Sequence, residues 1–257
     1  MSYPESPWSY TDFSFLAAIA LGMGAIICVV SLAKEFVLFS LVLLAVICFL
    51  LGSIPWGLII SKSVFHTDIR EHGSGNIGTT NAMRTMGKKG GVAVFVLDFG
   101  KGLLSGLIAL FVLANFIPGA GVAADSPVSA STVVALAFLF CTLGHIFSPW
   151  LKFKGGKGIA VAVGCLFVTF GWQGACLELA IFAVLVLATK YVSVGSIAAA
   201  AVCPLFAAYY FLYATFAPAA WVCTTVAALT VVWAHRGNIE RLRAGNERRI
   251  GQKGKEA

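Results

Sequence analysis

Charged side chains are scarce in this chain of 257 residues, where Asp, Glu, Lys and Arg together make up 11%, well under the share in ordinary soluble domains. Hydrophobic residues reach 59% and mean hydropathy is +0.91, which excludes a water-soluble globule and places the chain in lipid. Long alternating strands are missing too, so a closed barrel is excluded and helices must satisfy the backbone. None of the seven cysteines, Cys28, Cys48, Cys141, Cys165, Cys176, Cys203 and Cys223, forms a CxxC pair. Zinc and thiol-redox motifs are therefore unsupported, and the cysteines read as small packing residues. His66, His72, His145 and His235 form no paired-histidine or His/carboxylate motif, so no metal or other cofactor is expected. The start, MSYPESPWSYTDF, carries Glu5 and Asp12 but no basic residue, which argues against a cleavable signal peptide.

What remains is a series of apolar runs near the length that spans a bilayer. They cover about 13–33, 36–61, 90–116, 131–150, 158–170, 172–189, 194–214 and 216–234. The expected fold is an all-α polytopic membrane protein. Residues 1–35 form an N-terminal extension with an extra hydrophobic segment, 36–250 the membrane-integral domain, and 251–257 a polar basic tail. The runs 158–170 and 172–189 meet at Gly171 and are short, so a tilted or partly re-entrant pair is expected there. Lys62, Arg70, Arg84, Lys88, Lys89, Lys152, Lys154, Lys157, Lys190 and the basic tail all flank one set of span ends, whereas 117–130 holds Asp125 and no Lys or Arg. By the positive-inside rule that set faces the cytoplasm. The net charge of +7 then serves the anionic inner leaflet or an anionic substrate, and nucleic acid need not be invoked.

Four polar clusters lie at those same ends. GSGNIGTTNAMR at 73–84 supplies Gly73, Gly75 and Gly78 for positive φ and close approach, Ser74, Asn76, Thr79, Thr80 and Asn81 as neutral donors, and Arg84 as a bidentate clamp. A helix beginning near Asn76 would aim its N-terminal amides at an anion and put Arg84 about two turns along. KFKGGKG at 152–158 resembles a phosphate cradle without being a Walker A sequence, and Lys157 is its expected ligand, with Lys152 and Lys154 turned to lipid headgroups. SVGS at 193–196 and HRGNIERLRAGNE at 235–247 complete the set, with His235 and Asn238 on one helical face. Inside a span, Asp98 and Lys101 are either an ion pair at i, i+3 or a functional pair with Lys101 snorkelling toward the site. His145 is expected to orient or pack. Neither a GxSxG elbow nor an HxxxxD sequence occurs, so no acyl-enzyme is expected.

GSIP at 52–55, DIREHGSGNIGTTNAMRTMGKKGG at 68–91, LDFGKG at 97–102, GHIFSPWLKFKGGKGIA at 145–160, KYVSVGSI at 190–197 and HRGNIERLRAGNE at 235–247 occur in an order and spacing similar to another set. Together they resemble the bacterial membrane-integral acyl-phosphate:glycerol-3-phosphate acyltransferases. The resemblance implies a seven-helix core, to which this chain adds its N-terminal segment. It implies transfer of an acyl group from acyl phosphate to the sn-1 hydroxyl of glycerol 3-phosphate, giving lysophosphatidate and inorganic phosphate at the cytoplasmic face of the inner membrane. It further implies Ser74, Arg84, His235 and Asn238 as catalytic residues. Gly73, Gly75, Asn76, Asn81, Lys101, Gly155, Gly156, Lys157, Gly158 and Ser193 would bind substrate, Glu247 would be structural, and the protein would act as a monomer in the lipid bilayer. The base is His235 or a phosphate oxygen of the donor, and the resemblance favours the latter. The rival class is a transporter for an organic phosphate, which shares the anion-binding loops and the short pair 158–189.

Overall fold

The computed structural model describes residues 34–117 and 128–250. The expected hydrophobic segment at 13–33 and the tail at 251–257 lie outside the described residues. Helix α1 covers 34–53, and from Leu43 onward the described residues form the body set out below. Within the body follow α2 (Trp56–Ser63), α3 (Thr79–Phe116), α4 (Ala130–Ile146), α5 (Ile159–Thr169), α6 (Gly171–Thr189), α7 (Val192–Ala208), α8 (Pro218–Ala234) and α9 (Arg236–Arg243).

Among the described residues five helices are long and apolar enough to cross a membrane, six if the bent pair α8 and α9 counts as one span, and α5 is a shorter apolar helix. Lys34–Ser63 is one of the five, and with the bent pair and α5 these make seven apolar segments among the described residues, α5 being too short to cross upright. The spans are inside out relative to a soluble bundle: Phe111, Val184, Leu187 and Leu205 face outward, whereas Asp98, Lys101, His145 and Glu178 are buried. That is the arrangement hydrocarbon imposes, because polar groups are tolerated there only when protein surrounds them.

Two helix crossings rest on absent side chains. Gly102 of α3 lies against the Val161 carbonyl of α5, and Gly164 of α5 against the Phe99 carbonyl of α3. Gly52 and Gly144 do the same for α1 and α4, against the carbonyls of Cys141 and Phe49. A methyl at any of these four positions would collide with backbone, so helices lacking a hydrophobic drive to associate in lipid gain contact by close approach. Helix α3 runs 38 residues but contains a break at Gly87 (φ 70°, ψ −172°), a conformation open to glycine and strained for other residues. The break separates a loop-bearing first segment, Thr79 to Met86, from the apolar remainder.

The short α5 joins α6 through Phe170 and Gly171, so the chain goes in and returns between Gly158 and Lys190, as the span lengths predict. Helix α5 spans 11 residues, about 16 Å, roughly half the hydrocarbon thickness. Its return brings Ser193 to the end of the bundle that carries Lys157.

Candidate active site

Asn81 organises the first loop. It sits in the first turn of α3, is buried, and its Nδ2 donates to the carbonyls of Ile69 (3.1 Å), His72 (3.0 Å) and Asn76 (2.8 Å). Its Oδ1 accepts from the Ser74 amide at 2.9 Å. Every polar atom of Asn81 is thus engaged within the loop, and a side chain at Gly73 (φ 62°) would strike its Oδ1. The Asn76 Oδ1 accepts from the Gly78 amide at 2.9 Å, an Asx turn that delays the helix. The helix therefore starts at Thr79 after N-cap Gly78, three residues later than the expected start, and Gly78 is extended (φ −81°), not left-handed. Ser74 ends exposed on the rim, and Thr79, Thr80 and Arg84 project from the first two turns into the cavity beyond it.

The second loop folds back on the end of α4. The Gly155 amide donates to the Ile146 carbonyl (2.9 Å) and the Gly156 amide to the His145 carbonyl (3.1 Å). Any Cβ at Gly156 would collide with the His145 ring. These two glycines serve close packing, and their amides are not free for a phosphate as the cradle pattern expects. The free donors lie just after them: Gly158, Ile159 and Ala160, at the N-terminus of α5, line the cavity, and the first-turn amides of a helix have no intrahelical acceptor. Lys157 stands beside them, half-buried; burial, with Arg241 next, pushes its ammonium down to about 8.

The C-terminal cluster closes the other wall. His235 sits at the 48° bend between α8 and α9, just past the last span. Its Nδ1 lies 2.8 Å from the Val231 carbonyl; a carbonyl only accepts, so Nδ1 carries the proton and Nε2 keeps its lone pair. Burial lowers the His235 ring to about 4, against a smaller upward pull from the Val231 bond. Asn238 Nδ2 donates to Glu247 Oε1 at 2.7 Å, and Arg241 Nε donates to Glu247 Oε2 at 2.7 Å. Burial pushes the Glu247 carboxyl up, but the Asn238 and Arg241 hydrogen bonds outweigh it and hold the group below its usual range.

These walls enclose one cavity of about 350 Å³. Gly73, Ser74, Asn76, Asn81, Arg84, Lys157, Gly158, Ser193, His235, Asn238 and Glu247 all line it. Gly155 and Gly156 line an adjoining cavity that shares Ser74, Asn76, Lys157, Asn238 and Arg241 with the first. Gly75 and Lys101 line neither. Of the two readings open for Lys101, the structure shows the i, i+3 ion pair with Asp98 and not a side chain that lines the cavity as a substrate ligand. Its Nζ contacts Asp98 Oδ1 (2.9 Å), His145 Nδ1 (3.0 Å) and the Ile54 carbonyl (2.8 Å), and Asp98 and His145 in turn line the polar cavity. Since the ammonium only donates, His145 Nδ1 accepts and its proton is on Nε2.

Sequence reasoning missed Arg241 and Arg248, which bring the cations around the cavity to four with Arg84 and Lys157. Extending the His235–Asn238 face by another three residues reaches Arg241; nothing in the linear sequence marks Arg248. Below the polar cavity lies a second, of about 210 Å³, lined almost wholly by apolar side chains of α3 to α8. The two share Thr79, Thr80, Ile159, Ala160, Val192 and Ser196.

This architecture has known counterparts. A crystal structure of an integral membrane glycerol 3-phosphate acyltransferase in its glycerol 3-phosphate form superposes with a TM-score of 0.69 at 35% identity, covering 82% of this chain and 96% of that one. The same is true of a lysophosphatidic acid form, with a TM-score of 0.67 and 34% identity over 82% and 96% of the two chains. Glycerol-3-phosphate acyltransferases of Rhodopseudomonas palustris (strain BisB5) and Acaryochloris marina (strain MBIC 11017) are 40% and 38% identical to it. The first match covers 81% of this chain and 95% of the relative, the second 82% and 92%. The glycerol-3-phosphate acyltransferase family model matches residues 42–245, which takes in the first three polar clusters and all of the fourth but Asn246 and Glu247, and the chain belongs to that membrane-integral family.

Proposed function

We propose that the protein transfers a fatty acyl group from acyl phosphate to the sn-1 hydroxyl of glycerol 3-phosphate, releasing lysophosphatidate and inorganic phosphate. The observation that carries the proposal is the adjacency of the two cavities: a chamber ringed by four cations and helix N-terminal amides shares a wall of six residues with an apolar one. A donor with a phosphate head and a hydrocarbon tail, and an acceptor with a second phosphate, match that pair. Acyl phosphate is a mixed anhydride with a good leaving group, so alignment and charge stabilisation are the main demands on the protein.

In this mechanism Arg84, Lys157 and the α5 amides hold phosphate oxygens, and Ser74 at the rim and the buried Ser193 donate hydrogen bonds. His235 Nε2 and Asn238 orient the acceptor hydroxyl. The hydroxyl oxygen attacks the acyl carbonyl carbon; the carbonyl re-forms as its bond to the phosphate oxygen breaks, and the hydroxyl proton departs on that phosphate. A ring as weakly basic as His235 suits an orienting acceptor better than a base, which favours proton transfer to the substrate. Glu247 fixes Asn238 and Arg241 and takes no part in bond making. The chemistry proceeds at the cytoplasmic face of the inner membrane.

Purified protein in detergent, given palmitoyl phosphate and glycerol 3-phosphate, forms lysophosphatidate and an equal amount of inorganic phosphate if this is correct. With no membrane to cross, a transporter of organic phosphate would form neither, and that outcome would overturn the proposal.

A further inference from the structure

The apolar chamber contains one ionisable carboxyl that the transfer reaction does not use. Glu178 of α6 is 4% exposed and lines the chamber with Leu179, Phe182, Ala200 and Cys203. Among the described residues no hydrogen-bond donor or cation reaches its carboxyl. A carboxyl buried in a membrane bundle without a partner is costly, and such groups usually mark function.

Its position gives the function. Helices α6 and α7 are antiparallel neighbours joined at Lys190 and Tyr191, next to the polar cavity. Along α7 the chamber begins at Val192 and ends at Cys203; along α6 its deepest lining residue is Glu178. Both lie eleven residues from the site end of their helices, about 16 Å in, which is close to the middle of a hydrocarbon core of roughly 30 Å. Beyond that level the space is filled: Phe170 packs on Phe206 and Phe211 at 4.9 and 5.4 Å between ring centres.

We propose that Glu178 is the floor of the acyl chamber and sets the length of acyl chain the enzyme accepts. This rests on the acyl-phosphate reading of the site above. With the donor's phosphate held in the polar cavity, its chain descends between α5, α6, α7 and α8 until the terminal methyl meets the carboxyl. A longer chain must press hydrocarbon onto an unsatisfied polar group or bend out into lipid, and loses rate either way. The chamber thus admits chains that reach about as deep as those of one bilayer leaflet.

The test is a donor series, lauroyl to eicosanoyl phosphate, with purified wild-type protein and Glu178→Ala in detergent, read as kcat/KM for each donor. Removing the carboxyl opens space down to the Phe170 cluster, so the optimum moves to a longer chain. The ratio between the first donor past the wild-type optimum and the optimal donor rises roughly tenfold, the usual worth of a methylene in a fitted pocket. A general structural defect would scale all donors alike, and that uniform loss, or an unchanged profile, overturns the proposal. Should Glu178→Ala fail to fold, the wild type decides through ω-hydroxypalmitoyl phosphate. A hydroxyl delivered to the carboxyl keeps this donor within a few-fold of palmitoyl phosphate, whereas tenfold or greater rejection contradicts a polar floor. Absence of transfer from every acyl phosphate would instead overturn the reaction assignment, which separates the two failures.

Discussion

The polar and apolar cavities are built from the same helices but from different parts of them. The polar one is made mostly of loops, helix ends and the α8–α9 bend, with Asp98 reaching it from within α3, and its lining is dense in hydrogen-bond donors. The apolar one is made of helix middles, where Phe95, Phe138, Leu166 and Phe182 meet small residues such as Ala199 and Ala200. Helix ends leave unsatisfied amides and point them in one direction, so anion recognition gathers where spans stop. Helix middles have satisfied backbones and offer only side-chain shape, so they can hold a chain and measure it. An amphiphilic donor requires both, joined within one helix length.

Damage to the frame under the polar cavity is expected to have the largest effect. Lys101→Met strands Asp98 in the bundle interior, and loss of one partner of a buried pair costs about 3–5 kcal/mol. Thermal unfolding in detergent checks this, with a drop in Tm far exceeding that of Lys88→Met on the exposed surface. Arg84→Lys comes next: the fold is retained, and kcat/KM falls roughly a hundredfold, because a point charge cannot reproduce a planar fork. Normal turnover by purified Arg84→Lys protein would remove the clamp from the account.

Filling the apolar cavity tests the other half of the comparison. Ala200→Phe is expected to lower kcat/KM for palmitoyl phosphate roughly tenfold while leaving KM for glycerol 3-phosphate nearly unchanged; equal effects on both substrates would show that the chambers are not separable. A smaller effect concerns pH. Lys157 is held down to about 8 by burial and by Arg241, so the empty site loses this charge as pH rises through 8. The KM for glycerol 3-phosphate should then climb between pH 7 and 9, and Lys157→Arg, charged throughout, should flatten that climb. Steady-state kinetics across the range decide it. Least of all, Glu247→Gln weakens the hold on Arg241 and raises KM a few-fold without a change in the optimal chain length.

The two regions were unequally legible in the sequence. Glycine, serine and lysine at span ends stand out against apolar surroundings, so Ser74, Arg84, Lys157, Ser193, His235 and Asn238 could be singled out before their convergence was visible. Their division of labour was hidden. Asn81 has the composition of a ligand but ties three carbonyls of its own loop. Gly155 and Gly156 look like a cradle but seat His145. Lys101 could equally snorkel or pair at i, i+3, and only tertiary packing, which brings the Ile54 carbonyl and His145 to its ammonium, decides between them. That the helices would wall an acyl chain could be expected, but the lining residues and depth of the apolar cavity were illegible, since its walls have the composition of any membrane helix and its shape depends on how six of them pack.

The acyl chain is expected to lie inside the bundle beneath the polar cavity and not along the lipid-facing surface. A palmitoyl phosphate analogue with a diazirine at its far end, photolysed on the purified protein and mapped by mass spectrometry, tests it most directly. Labels are expected on Glu178, Leu179, Phe182 or Cys203, abolished by excess palmitoyl phosphate. Labels confined to outward-facing residues such as Val184, Leu187 and Leu205 would contradict it.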